Sequence, residues 1–208
     1  MRLHCAVRHT LRNKAGCPAK SGSGFTLIEL MITLAIAAVL LVVGVPSFID
    51  FQRNSELTSQ TNSLVAALNA AKTEAMKRNT NAYVVPGGSS SLWTDGWIVF
   101  ADTDRTGLTF EADKDFNVLT QPAIPSYFTI TATGTASETA PYVKFDGSGY
   151  PRNTSNGFGA VTLSVQRNDL TGAALLQQTR RIKIASTGRV RTCKPETSTD
   201  AKCTSGDD

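Results

Sequence analysis

Beyond residue 24 the chain has no histidine, because both copies, His4 and His9, fall in the first 24 of its 208 residues. That removes the most common general base and the most common metal ligand. There is no G-x-S-x-G, no G-x-x-x-x-G-K-[ST] and no zinc-ligand spacing. These absences leave no standard route to acyl transfer, nucleotide hydrolysis or zinc chemistry. The chain is expected to be non-catalytic and to need no cofactor or metal. Internal repeats are also lacking. Acid is missing from residues 1–24, which hold Arg2, Arg8, Arg12, Lys14 and Lys20. With those five set aside, 16 basic residues face 17 acidic ones, so the overall +4 does not describe the remainder. A generally basic, nucleic-acid-coating protein is thereby excluded, and any anion site must come from a local patch.

Directly after the basic stretch comes an apolar run. Phe25 to Val45 carries one charged side chain, Glu29. About 20 apolar residues span a bilayer as a helix. The run is too long for a secretory signal, and Val45-Pro46-Ser47 lacks a small-residue cleavage site. Basic residues on the N-terminal side place the N-terminus in the cytoplasm and everything after Pro46 outside. A carboxylate in such a segment calls for a partner or a function. The four cysteines divide between the same compartments, Cys5 and Cys17 inside, Cys193 and Cys203 outside. An oxidising exterior favours a Cys193–Cys203 disulfide over two free thiols.

Gly24-Phe25-Thr26-Leu27-Ile28-Glu29 after a basic leader and before an unbroken apolar run resembles the type III signal of type IV pilins and pseudopilins. The resemblance implies that a prepilin peptidase cuts between Gly24 and Phe25 and methylates the new amine of Phe25. It makes Glu29 the glutamate at the fifth mature position, which acts in assembly, and Pro46 the proline that kinks the family's long helix. The partners implied are the peptidase, the inner membrane and other pilins or pseudopilins in a filament. The implied location is single-pass in the bacterial inner membrane with a periplasmic C-terminal domain, then a pilus or pseudopilus.

After Pro46, Phe48, Phe51, Leu57, Leu64, Leu68, Ala71 and Ala75 recur at helical spacing, predicting an amphipathic helix that ends near Asn79. Short β segments come next, near Ala82–Val85, Trp97–Ala101, Tyr127–Thr133, Tyr142–Phe145, Ala160–Gln166 and Arg181–Ala185, with turn-rich spacers between them. The expected architecture is α+β and pilin-like, a long N-terminal helix packed on a small antiparallel β domain. Its expected segments are a leader 1–24, a membrane and assembly helix 25–45, the amphipathic half 46–80, a β domain 81–193 and a tail 194–208. "LWTDGWIVFADTDRTG", "FNVL" and "RRIKIASTGRVR" resemble the GspH/FimT branch of that family.

Two charged regions stand out. Six acids lie between Asp95 and Asp115. Asp102-x-Asp104-x-Thr106-Gly107, with Asp113 at the closing place, partly imitates a calcium loop. Thr106 replaces a carboxylate, Asp113 replaces the bidentate glutamate and Phe110 stands at the ninth place, so a turn with a solvated acidic face is the expected reading. Downstream, nine bases between Lys144 and Lys194 face only Asp146 and Asp169. Arg181 and Lys183 share a strand face, as do Arg189 and Arg191 if "GRVR" is extended, and Gly188 permits a tight approach or positive φ. In FimT-like minor pilins the resemblance implies that Gly-Arg-x-Arg binds DNA during natural transformation. Here that is Gly188-Arg189-Val190-Arg191, with Arg181, Lys183 and Lys194 as further candidates for the phosphates of double-stranded DNA. No aromatic interleaves the arginines, so base stacking is not expected. Subunit docking is the alternative use of the patch. A structural pseudopilin of a type II secretion system is the alternative function.

Overall fold

Two compact units divide at Pro46 and Ser47 in the computed structural model, which describes residues 24–197 with Asp200 and Cys203. Residues 1–23, with Cys5 and Cys17, and most of residues 194–208 lie outside the described residues. A single helix, α1, is assigned over Leu27–Arg78 and runs through Pro46. In the first unit its large apolar side chains are exposed, Leu27, Ile32 and Leu40 among them. By length and composition this helix can cross a membrane.

The second unit begins with the remainder of α1. Leu57, Thr61, Leu64, Leu68, Ala71 and Ala75 are buried at three- or four-residue intervals, the period of a helix with one inward face. Thr61 was not expected in this stripe. Its hydroxyl donates to the Leu57 carbonyl at 2.7 Å, which satisfies it inside the core. Phe48 and Phe51 were expected there and are exposed instead, since the core cluster begins only at Leu57. The helix stops because Asn79 takes a positive φ of 51°, and the Thr80 amide returns to the Ala75 carbonyl at 3.2 Å. That 6→1 bond with a left-handed residue between is the Schellman stop.

Nine strands come after it among the described residues, all pairing antiparallel. They are β1 (Ala82–Pro86), β2 (Trp97–Ala101), β3 (Phe116–Gln121), β4 (Phe128–Ala132), β5 (Val143–Phe145), β6 (Pro151–Arg152), β7 (Val161–Arg167), β8 (Thr179–Ile184) and β9 (Val190–Cys193). One sheet has the order β3-β2-β1-β5-β6 and the other β4-β7-β8-β9. The α+β pilin-like class is as expected, but the β part is two sheets, β3 and β6 occupy stretches not assigned to strands, and β9 adds a strand where "GRVR" was extended only as a condition. A short helix, α2 (Gly172–Gln177), also precedes β8. Alternation sets which side chains face the core. Val161, Leu163 and Val165 of β7 and Ile182 and Ile184 of β8 are buried with the helix stripe and with Val84, Val99 and Phe145 of the first sheet. Tyr83, Phe100 and Tyr142 point to the opposite face of that first sheet. There they form a second small cluster under Leu108 and Phe110.

A charged clasp joins α1 to the second sheet. Arg167 is only 3% exposed, and its guanidinium donates to Asp50 at 3.0 Å and to both oxygens of Asp169 at 2.9 and 2.7 Å. Arg53 reaches Asp169 at 2.6 Å and lies over the Tyr127 ring. The Arg180 guanidinium donates to the Asn54 side-chain oxygen at 3.0 Å, and the Tyr127 hydroxyl donates to Glu56. Hydrogen bonding from Arg167 holds the Asp169 carboxyl down at about 2.

Candidate functional site

At the N-terminus, Gly24, Phe25 and Thr26 precede the helix and are exposed. The Thr26 hydroxyl oxygen accepts the Glu29 amide at 3.2 Å, so Thr26 is the N-cap and Glu29 the N3 residue of a T-x-x-E capping pattern. Glu29 also sits in the first turn, where the helix dipole favours an anion. Part of this carboxylate's presence therefore has a local explanation. A linear scan for T-x-x-E would have found it.

At the other end, β8 and β9 form a hairpin through a three-residue loop. The Gly188 amide donates to the Ala185 carbonyl at 2.8 Å, the Ala185 amide donates to the Arg189 carbonyl at 3.0 Å, and Gly188 takes φ +78°. That is a β-turn closed by a left-handed glycine. Asp146–Tyr150, between β5 and β6, repeats it bond for bond, with Gly149 at φ +81°. The two tips meet. A Cβ on Gly188 would lie 2.4 Å from the Gly149 carbonyl oxygen, and Lys72 of α1 donates to the Gly188 carbonyl at 2.7 Å. Gly188 is thus where both sheets and the helix touch. "DGSGY" and "STGRV" showed two glycine turns in the sequence, but nothing in either showed that they dock on each other.

Most of the counted basic patch is used inside the fold. Arg167 and Arg180 belong to the clasp. Arg152 pairs with Asp146 at 2.6 Å. Burial pulls that carboxyl up, but the Arg152 bond and the Tyr150 and Ser148 amides outweigh it and leave it lowered. Lys144 is buried and donates to Asn156 at 3.2 Å, and burial lowers its pKa. Lys183 is 6% exposed, between Thr162 of β7 and Arg191 of β9, so it is no surface contact for a phosphate, contrary to expectation. Arg181 shares its face, as expected, but is half-buried and donates to the Cys203 carbonyl at 3.1 Å. Cys193 and Cys203 are disulfide-bonded with Cα atoms 5.8 Å apart, and Cys203 is buried. Arg189 and Lys194 are exposed and Arg191 is half-buried. Of the outlying cations at this end, Arg189 and Lys194 have the most solvent access.

The acidic loop also departs from its reading. Asp102 is 1% exposed rather than solvated. Its Oδ1 accepts the Thr106 amide at 3.1 Å, while burial raises its pKa against those backbone bonds. The residue that closes the loop is Asp115, not Asp113. Asp115 accepts the Thr103 amide at 3.3 Å and the Glu111 amide at 2.9 Å. One oxygen from each of Asp102, Asp104 and Asp115 falls within 4.8 Å of the others. Backbone amides engage all three, which makes them the organisers of the 102–115 loop.

Comparison with protein families matches residues 60–188 to the family described as type II transport protein GspH. The chain belongs to the GspH family. Residues 20–45 also match the prokaryotic N-terminal methylation motif, so the family read from Gly24–Glu29 and from the β motifs is the one found. Among curated proteins, this GspH-family chain is 45% identical over 49 residues to the type IV major pilin protein PilA of Myxococcus xanthus (strain DK1622). That match covers 24% of this chain and about a fifth (22%) of PilA. Among solved structures, the type IV minor pilin FimU of Pseudomonas aeruginosa (strain PAO1) aligns with TM-score 0.49 at 16% identity, over 70% of this chain and 93% of FimU. The minor pseudopilin EpsH from the type 2 secretion system of Vibrio cholerae aligns with TM-score 0.46 at 18% identity, over 68% and 99%.

Proposed function

We propose that this chain is a non-catalytic minor subunit of a type IV filament, made as an inner-membrane precursor and assembled through its apolar helix. Prepilin peptidase cuts between Gly24 and Phe25 and methylates the Phe25 amine. The observation that supports this reading is one chain carrying both matches, with Gly24-Phe25 exposed just ahead of a helix whose apolar side chains are uncovered. Cleavage creates an amine four residues from Glu29. In a low-dielectric helical bundle, pairing of Glu29 with such an amine offsets the burial of both charges and sets the axial register. Glu29→Ala is then inserted and cleaved but enters filaments poorly. Filament preparations immunoblotted for the variant test this, and normal incorporation refutes the pairing.

We further propose that the subunit contacts DNA phosphates in a type IV pilus through Arg189 and Arg191, with Lys194 as a third candidate. Support comes from the Gly188 turn, which holds Arg189 outward at the β8–β9 tip. Three contacts bind weakly and give a salt slope near −2.7 for duplex DNA, about −0.9 per phosphate. Anisotropy titration of the full chain in detergent, with and without Arg189→Ala plus Arg191→Ala, tests it. Unchanged low-salt affinity removes the reading. The internal use of Arg152, Arg167, Arg180 and Lys183 favours a second reading, a structural pseudopilin of a type II secretion system whose remaining charges dock a neighbour. Lost exoprotein secretion with normal DNA uptake in a deletion strain favours that reading.

A further inference from the structure

Tyr150 directly follows Gly149, and Arg189 directly follows Gly188, whose turns touch. Tyr150 is 41% exposed and Phe158 61% exposed, too open for either to serve as core. The two rings stand 6.1 Å apart at 74°. Phe158 is fixed beside β6 by a bridge to Arg152. The turn before it is closed by the Asn153 amide donating to the Gly157 carbonyl at 2.9 Å and the Gly157 amide donating to the Asn153 side chain at 2.8 Å. The Arg152 guanidinium lies 4.4 Å from the Phe158 ring centre and 5.8 Å from that of Tyr150, and Asp146 holds it there.

This arrangement is a pair of exposed rings set edge to face, with the Arg152 guanidinium over one side of the Phe158 ring and Arg189 one residue beyond the turn that touches the Gly149 turn. A backbone so tightly closed orders its rings before any ligand arrives, which lowers the entropy lost on binding. Planar π surface beside positive charge suits a ligand with flat faces and phosphates. Duplex DNA keeps its base faces stacked on one another, so only unpaired bases can use the rings. We infer that Tyr150, Arg152 and Phe158 form a stacking platform for the unpaired bases of single-stranded nucleic acid, with Arg189 taking its phosphates. The inference rests on the phosphate role proposed for Arg189. It departs from the sequence expectation of no base stacking, which was read only from the residues that interleave the later arginines, Arg181 to Arg191.

The test is anisotropy with the full chain in zwitterionic detergent at low salt. The probes are a labelled oligothymidylate of about 16 nucleotides, the upper site size of one binding fold, and a duplex of equal length. Phe158→Ala is expected to weaken single-strand binding about tenfold, the loss of one stacked base, and to leave duplex binding unchanged. Tyr150→Ala should act in the same direction. Phe158→Trp keeps the ring and should keep the affinity, and thermal unfolding of each variant verifies the fold. If Arg189→Ala weakens both probes but Phe158→Ala changes neither, or changes both equally, the platform is refuted and the phosphate reading stands. If Arg189→Ala changes neither probe, the phosphate reading fails and the platform with it.

Discussion

Gly188→Ala should damage the fold before it damages any ligand contact. Two penalties can be read from the structure. Gly188 has φ +78°, and an L-residue in the left-handed region costs about 1–2 kcal/mol. The new Cβ would also stand 2.4 Å from the Gly149 carbonyl oxygen, a backbone atom that cannot rotate away. The tips must separate, which stretches the 2.7 Å bond from Lys72 to the Gly188 carbonyl. A hydrogen bond from a charged donor contributes about 1.5–3 kcal/mol. The expected loss is roughly 3–4 kcal/mol in all, or about 6–15 °C in Tm for a chain of this size. Two other glycines separate the penalties. Gly172 has φ +60° with open space around it, so Gly172→Ala carries the first penalty alone. Gly149 has φ +81°, and its Cβ would meet the flexible ends of Met76 and Lys72, so Gly149→Ala should fall between. Thermal unfolding of the three variants, followed by circular dichroism on the full chain in detergent, gives the order. A Gly188→Ala midpoint within about 2 °C of wild type, or no lower than that of Gly172→Ala, refutes the docking argument. If Gly188→Ala is the most destabilised of the three, a DNA-binding defect in it reports the damaged hairpin and not a lost contact.

Other consequences are simpler. The folded Asp169 carboxyl lies at about 2 against roughly 3.9 unfolded, so its stabilisation is present above pH 4 and lost as pH falls toward 2. Tm should decline through that window in wild type and decline less in Arg167→Leu, and equal declines would refute the clasp. Replacing Cys193 and Cys203 together by Ser frees a loop of about 11 residues, worth about 2–3 kcal/mol on the chain-entropy model, and should lower Tm by about 5–10 °C. Asp115→Ala removes the acceptor of the Thr103 and Glu111 amides. Hydrogen exchange at those two amides should rise roughly 30-fold for a local loss of about 2 kcal/mol, with β7 amides unchanged.

Legibility in the sequence tracked how local each feature is. The helix end at Arg78 was visible because Asn79 acts within one turn. β7 and β8 were visible through their alternation. β3 was missed because Phe116–Gln121 is an edge strand with exposed side chains, aligned by pairing with β2 across a bulge at Val99 and Phe100. β6 was missed because it is two residues long and opens on Pro151, a residue tolerated at an edge. Counting charges overstated the basic patch. A count cannot show that Arg167 is spent on Asp50 and Asp169, or that Lys183 lies under its neighbours.

The sequence alone determined what a linear reader needs. The Gly24-Phe25 junction, the apolar run and Glu29 in the first turn act through neighbours along one helix, and the family is evident from their order. Which cations reach the surface was decided only by the tertiary structure. So were the meeting of Gly188 with Gly149 and the placing of Arg152 over Phe158. The first two outcomes depend on two sheets folding onto one helix, and contacts between segments so far apart in the chain leave no periodic trace in it.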